Sequence, residues 1–181
     1  MTSAATRSPH PDTGLVAVMR HFVTGVTVLT SGQGEETEGV TVSTFTVVTG
    51  APPLACVALR SGSRGLRALL DAQVFVANGL SAGQEALARH FARRTRPRGL
   101  TQLPPTAWLA GDDADGAEGL PRLSGAAAWL TCRTERTVAL GDHELVVAHV
   151  VGAAHTDRPP LLSFADALHP GPMNHRAERE S

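Results

Sequence analysis

Gly39-Val-Thr-Val-Ser-Thr-Phe-Thr-Val-Val48, then Thr49-Gly-Ala-Pro-Pro53, Leu54-Ala-Cys-Val-Ala-Leu59 and Arg60-Ser-Gly-Ser-Arg64, is the stretch that decides the fold. The first run is dense in Val and Thr, which suit a pleated, half-buried strand. Pro52 and Pro53 cannot donate ladder hydrogen bonds, so pairing must break there and the chain re-enter as a new strand. The second strand ends in a loop of hydroxyls, free backbone amides and a guanidinium. That mixture suits a phosphate-bearing ligand.

Composition narrows the function classes. The chain has 181 residues, enough for one domain with a substantial core. Its net charge is −1 and no face reads as basic, so nucleic acid is not expected as a partner. No run reaches membrane-spanning length, and the start Met1-Thr-Ser-Ala-Ala-Thr-Arg7 lacks an apolar signal core, so a cytoplasmic protein is expected. Cys56 and Cys132 sit in apolar strand patterns and read as buried, reduced thiols rather than a disulfide or metal pair. All sixteen basic residues are Arg; there is no Lys and no Tyr. A Schiff-base lysine and a tyrosine acid are therefore excluded. No metal site is predicted: His143 and His149 share a strand face, but no third ligand has matching spacing.

Around the deciding stretch, residues 1–11 read as a disordered lead, 12–165 as a single domain and 166–181 as a mobile tail. A short helix is expected to carry Leu15, Val18, Met19 and Phe22 on one side. Val26–Thr30 alternates as a strand, and Val74–Leu80 reads as a buried one. Helices are predicted from Gly65 to Ala72 and, from the capping-box spacing of Ser81-Ala-Gly-Gln84, from about Ala82 to about Arg94. Two long apolar-rich runs flank Gly141-Asp142 and read as a β-hairpin. Strands outnumber helices and are joined by short turns, which favours a barrel. The Arg89, Arg93, Arg94, Arg96 and Arg98 cluster reads as a solvated basic surface by default.

Taken in order, Phe22-Val-Thr-Gly-Val-Thr-Val-Leu-Thr30, Gly39-Val-Thr-Val-Ser-Thr-Phe45, Pro52-Pro-Leu54, Ser63-Arg64, Val76-Ala-Asn78, Arg89-His-Phe91 and Gly141-Asp-His143 resemble the flavin reductase-like family. The resemblance covers roughly residues 12–165. It implies a mainly β fold with short helices, the FMN-binding split β-barrel. It implies a homodimer with FMN (FAD possible) near the subunit interface, NADH or NADPH as hydride donor, and a flavin-dependent monooxygenase as recipient of reduced flavin, in bacterial secondary metabolism. By resemblance, Gly39, Val40, Thr41, Ser43 and Thr44 lie along the flavin, with Ala58, Leu59 and Arg60 beside its ribityl chain or ring. Ser63, Arg64 and Gly65 bind the phosphate, and His90 and Phe91 close that site. His143 is the expected catalytic residue on the nicotinamide side, with Ser163 and Phe164.

The residues also read independently. Arg64 fits either a solvated helix start or, beside Ser63, a phosphate donor. His143 fits either a hairpin residue or a functional one. One departure stands out. The family ends its domain with an aromatic followed by Arg-Gly, whereas this chain has Phe164-Ala-Asp166, so Asp166 brings a negative charge where an anionic dinucleotide is expected. The alternative reading is therefore a flavin-binding member with weakened nicotinamide use that acts directly on a small biosynthetic intermediate.

Overall fold

The computed structural model describes residues 13–110 and 119–172. The expected N-terminal lead lies outside the described residues. The chain opens with α1 (Thr13–Met19), β1 (Thr24–Gly25), β2 (Thr27–Ser31) and β3 (Glu38–Val42). Then follow β4 (Thr46–Gly50), β5 (Pro53–Arg60), α2 (Arg64–Ala72), β6 (Val74–Gly79) and α3 (Glu85–Ala92). The second half contains β7 (Trp108–Ala110), β8 (Pro121–Leu123), β9 (Ala128–Leu140), β10 (His143–His155), β11 (Leu161–Phe164) and β12 (Ala167–Pro170).

Seven strands form one sheet in the order β3-β2-β6-β9-β10-β5-β4. The run from Gly39 to Val48, read as one strand, is in fact two, and they occupy opposite ends of that order. Only Ser43, Thr44 and Phe45 join them. Four Cα steps span at most about 15 Å. Six inter-strand gaps in a flat sheet span about 29 Å. The sheet must therefore curl until its two edges nearly meet, and Thr44 marks the seam by donating its hydroxyl to the Ala58 carbonyl at 2.8 Å. No ladder joins β3 to β4, so the barrel stays split.

Leu29, Val57, Phe75 and Val146 fill the interior, with Leu66 and Leu69 of α2 plugging it. Ser63 caps α2, its Oγ accepting from the Leu66 amide at 3.2 Å. A second apolar cluster around Val28, Phe91, Leu123 and Leu161 seats α3 against β3. Helix α3 is shorter than expected because Ser81 and Gln84 are absorbed in a turn: Gln84 accepts from the Ser81 amide at 3.0 Å and donates to the Ser124 carbonyl at 2.7 Å. Cys132 is fully buried, which pushes its thiol up to about 12, whereas Cys56 is only half-buried; neither is paired.

The small sheet β1-β11-β12 lies beside the barrel. It corrects the expected tail boundary: Ala167–Pro170 pairs with β11, so order runs past Asp166, through a turn in which Ala165 and Asp166 both have positive φ (49° and 62°). The rest of the expected tail, from 173 on, lies outside the described residues. Among the described residues, no helix is long and apolar enough to cross a membrane.

Candidate functional site

Three depressions follow one another along the outer side of β3. The first, about 340 Å³, lies between Val40 and the Ser61–Gly65 turn and is rimmed by Arg60, Arg64, Arg94 and Arg96. The second, about 250 Å³, lies over Thr41, Val42 and Ser43 and reaches Ser163 and Leu168. The third, about 350 Å³, shares Ser43 and Ser163 with the second and extends to Thr44, Phe22, Arg20 and Asp166. The result is a row of depressions, or track, along β3, cationic at the first and lined in the second mainly by apolar and hydroxyl side chains with Arg89 at its border.

Local chemistry explains the cationic end. A β-strand running straight into a capped helix turns the first-turn amides of α2 outward, where no helical carbonyl can accept from them. Gly65 lets that helix start sit directly on β3, since a Cβ there would lie 2.9 Å from Val40 Cγ1. The amides, the helix dipole and the arginines all favour an anion.

Most of the expected flavin residues come together here: Val40, Thr41, Ser43, Thr44, Arg60, Ser63, Arg64 and Gly65 all line the track. Their hydroxyls are not equivalent. Thr41 donates to the Ala88 carbonyl at 2.8 Å and so ties α3 to β3, and Thr44 is committed to Ala58. Ser43 is exposed and borders two depressions. Leu59 turns its side chain into the core and Ala58 uses its carbonyl at the seam, so only backbone can face a ligand at Leu59.

Other residues lie elsewhere. Phe91 is fully buried, with its ring beneath Gly39, and His90 bonds Gln102 at 3.1 Å; neither lines the arginine-rimmed depression they were expected to close. Arg89-His-Phe91 falls in the last turn of α3, as expected, but Phe91 lies on its inward face. Gly39 contributes closeness rather than contact. His143 starts β10 opposite Arg60, its Nδ1 2.7 Å from Asp142 Oδ1. That hydrogen bond and the charges of His143 and Arg60 hold the Asp142 carboxyl below its ordinary value. Within one chain His143 lies in the seven-stranded sheet, whereas Ser163 and Phe164 lie in the three-stranded one. The repulsive charge expected at Asp166 is already matched: Arg20 Nη1 lies 2.6 Å from Asp166 Oδ2.

Sequence reasoning missed Glu38 and the buried role of Arg96. Arg96, read as part of a solvated basic surface, is 8% exposed and bonds Glu38, itself 2% exposed, at 2.5 Å. Burial lowers the Arg96 pKa from its ordinary value, and Glu38 opposes that shift.

A curled seven-stranded sheet whose edge strand β3 carries an arginine-rimmed depression at the start of α2 defines a split-barrel protein. The family model described as flavin reductase like domain matches residues 19–172, and the chain belongs to that family. It is 37% identical over 136 residues to an NADH-dependent FAD reductase of Streptomyces globisporus, covering 75% of this chain and 72% of that protein. Its fold superposes with a TM-score of 0.81 on BorF, the flavin reductase component of a bacterial two-component tryptophan halogenase, at 31% identity, covering 89% of this chain and 98% of that one. The styrene monooxygenase flavin reductase of Pseudomonas putida S12 gives 0.76 at 32% identity, covering 90% and 99%.

Proposed function

We propose that the protein is an NAD(P)H-dependent flavin reductase that holds FMN or FAD along β3 and passes reduced flavin to a partner monooxygenase. The observation that carries this reading is the arginine-rimmed depression at the start of α2, opening beside Thr41–Thr44 in a chain of this family. A flavin phosphate carries nearly two negative charges near neutral pH and prefers charge-assisted donors. Arg60, Arg64, Arg94 and the α2 amides supply them. The middle of the track is mostly apolar, which suits a flat ring. When bound, the flavin supplies the ring that accepts a hydride from the nicotinamide. The chain's own residues hold, orient and shield: Ser43 offers a hydroxyl at the ring, and the Thr41 and Thr44 hydroxyls keep the β3 end rigid.

A second copy of the chain completes the site in this reading. Phe22, Val47 and Val48 are 72%, 56% and 57% exposed in the single chain. Covering them against a partner protomer removes apolar surface from water and gives His143 a nicotinamide to face across the interface. Two unpaired thiols accord with a reducing, cytoplasmic setting.

Anaerobic mixing of the protein with FMN or FAD and NADH or NADPH tests the reading. Loss of the oxidised-flavin absorbance at about 450 nm is expected; no loss with any combination sinks it. The alternative reading, direct action on a biosynthetic intermediate with weakened nicotinamide use, rested on the missing Arg-Gly and on the charge of Asp166, and the Arg20 pair offsets that charge. Arg20→Ala restores the imbalance. It is expected to lower kcat/KM for the nicotinamide by roughly 3–10-fold while the flavin KM barely moves. Steady-state kinetics with each substrate varied in turn will show it; equal losses for both substrates contradict this assignment.

A further inference from the structure

We propose that Glu38 is a positioning residue, which presets the Arg64 guanidinium, directly and together with the buried Arg96, for the phosphate of the bound flavin. The inference rests on the reading above, that the flavin phosphate lies at the start of α2, and adds what makes that end of the site rigid.

Glu38 stands at the start of β3, one residue before Gly39, with its carboxylate 2% exposed. A lone buried carboxylate is expensive, and here it gathers three arginines. Arg64 Nη2 donates to Oε1 at 3.2 Å, and Arg64 Nε lies 2.8 Å from Oε2, an ion contact off the hydrogen-bond axis. Arg96 Nη2 donates to Oε1 at 2.5 Å, and Arg98 Nε approaches Oε2 at 3.5 Å. Backbone groups complete the arrangement. Arg64 Nη2 also donates to the Arg96 carbonyl at 2.9 Å, Arg96 Nη1 to the Arg93 carbonyl at 2.8 Å, and Arg96 Nε to the Gly39 carbonyl.

The geometry distinguishes holding from neutralising. Glu38 engages Arg64 through Nε and Nη2, one edge of the guanidinium. Nη1, on the opposite edge, stays out of these contacts. Arg64 and Arg96 both rim the depression at the Ser61–Gly65 turn, whereas Glu38 does not. Glu38 instead lines a separate depression on the far side of Arg64. The carboxylate therefore grips the arginines from behind. One carboxylate against three guanidiniums leaves the cluster cationic, so the phosphate still meets net positive charge. An arginine already fixed in its rotamer loses little further side-chain entropy when an anion arrives.

The readout is the ratio of riboflavin Kd to FMN Kd, measured by flavin fluorescence, because it isolates the phosphate. Wild type is expected to prefer FMN. Glu38→Gln is expected to reduce that preference about tenfold or more, with the riboflavin Kd within about twofold of wild type. Arg64→Lys tests the same idea in a partly exposed side chain that does not endanger the fold. It keeps the charge but cannot give one edge to Glu38 and the other to phosphate, so it is expected to fall nearly as far as Arg64→Ala. If Arg64→Ala abolishes the preference while both Arg64→Lys and soluble Glu38→Gln keep it, the phosphate site stands and the positioning role is overturned. If Arg64→Ala also leaves the ratio unchanged, the placement of the phosphate fails and this inference falls with it.

Discussion

Gly39→Ala is expected to destabilise the protein by about 3 kcal/mol, at the upper end of the overpacking range, and trimming Phe91 should recover much of that loss. A Cβ on residue 39 would lie 2.3 Å from Phe91 Cε1 and 2.4 Å from Cδ1. The ring has nowhere to retreat. It is fully buried and meets the His90 ring edge-on at a centroid distance of 4.8 Å and the Trp108 ring at 6.3 Å. The strain also reaches the site, because the Gly39 carbonyl accepts from Arg96 and the neighbouring Glu38 anchors Arg64. Urea unfolding of Gly39→Ala, Phe91→Leu and the double variant checks this. The double variant should be more stable than the sum of the single losses requires, with a coupling of about 1 kcal/mol or more. Strict additivity would show that β3 moves away from the ring instead.

Much of the architecture was legible because it rests on local chemistry. Pro52-Pro53 broke the strand run as its missing donors require, with β4 ending at Gly50 and β5 starting at Pro53. The helix expected from Gly65 to Ala72 is α2, which starts one residue earlier, and Gly141-Asp142 announced the hairpin of β9 and β10. What sequence did not show was the break at Ser43–Phe45. Val and Thr continue on both sides, so β propensity is uninterrupted. The break is imposed by curvature, when one edge of the sheet hands the chain to the other. Propensity is a property of neighbours in sequence; the seam is a property of sheet closure.

The site divides in the same way. The turn at the start of α2 was readable as a local run of hydroxyls and a guanidinium, Ser63 and Arg64, and the family resemblance set Val40 and Gly65 beside it. Partnerships across long sequence separations were not. Glu38 and Arg96 are 58 residues apart, and Arg96 lies in an Arg/Pro-rich stretch with no period to reveal an inward face. His90 and Phe91 show the converse. Their place at the end of α3 was clear, but the helix's rotation about its axis was set by packing on Gly39. The single signal for the Glu38 cluster was an acidic residue at the mouth of an otherwise uncharged strand.

Asn78→Ala is expected to cost about 3–5 kcal/mol, from several polar groups orphaned at once in the interior. Asn78 has no exposed surface. Its Nδ2 donates to the Val28 carbonyl at 2.8 Å and to Thr30 Oγ1 at 3.0 Å, and its Oδ1 accepts from the Leu123 amide at 2.7 Å. Thr30 in turn donates to the Pro121 carbonyl at 2.6 Å. This side chain thus ties the paired strands β2 and β6 to β8, which belongs to a separate sheet. Asn78 was among the residues that carried the family resemblance, and the structure gives it a structural reason to be there. Asn78→Asp separates hydrogen bonding from volume. It keeps the shape but replaces the two donors with a buried carboxylate whose charged form is disfavoured, so the folded-state pKa is raised above the unfolded one. The sign follows by linkage: stability is greatest below the unfolded carboxyl pKa and falls as pH rises towards the raised folded value. Urea midpoints of Asn78→Asp should therefore drop relative to wild type between about pH 4 and pH 7, while those of Asn78→Ala stay a constant distance below. A parallel pH dependence for all three proteins would mean that water reaches this position, and that the barrel is held to β8 by packing rather than by the amide.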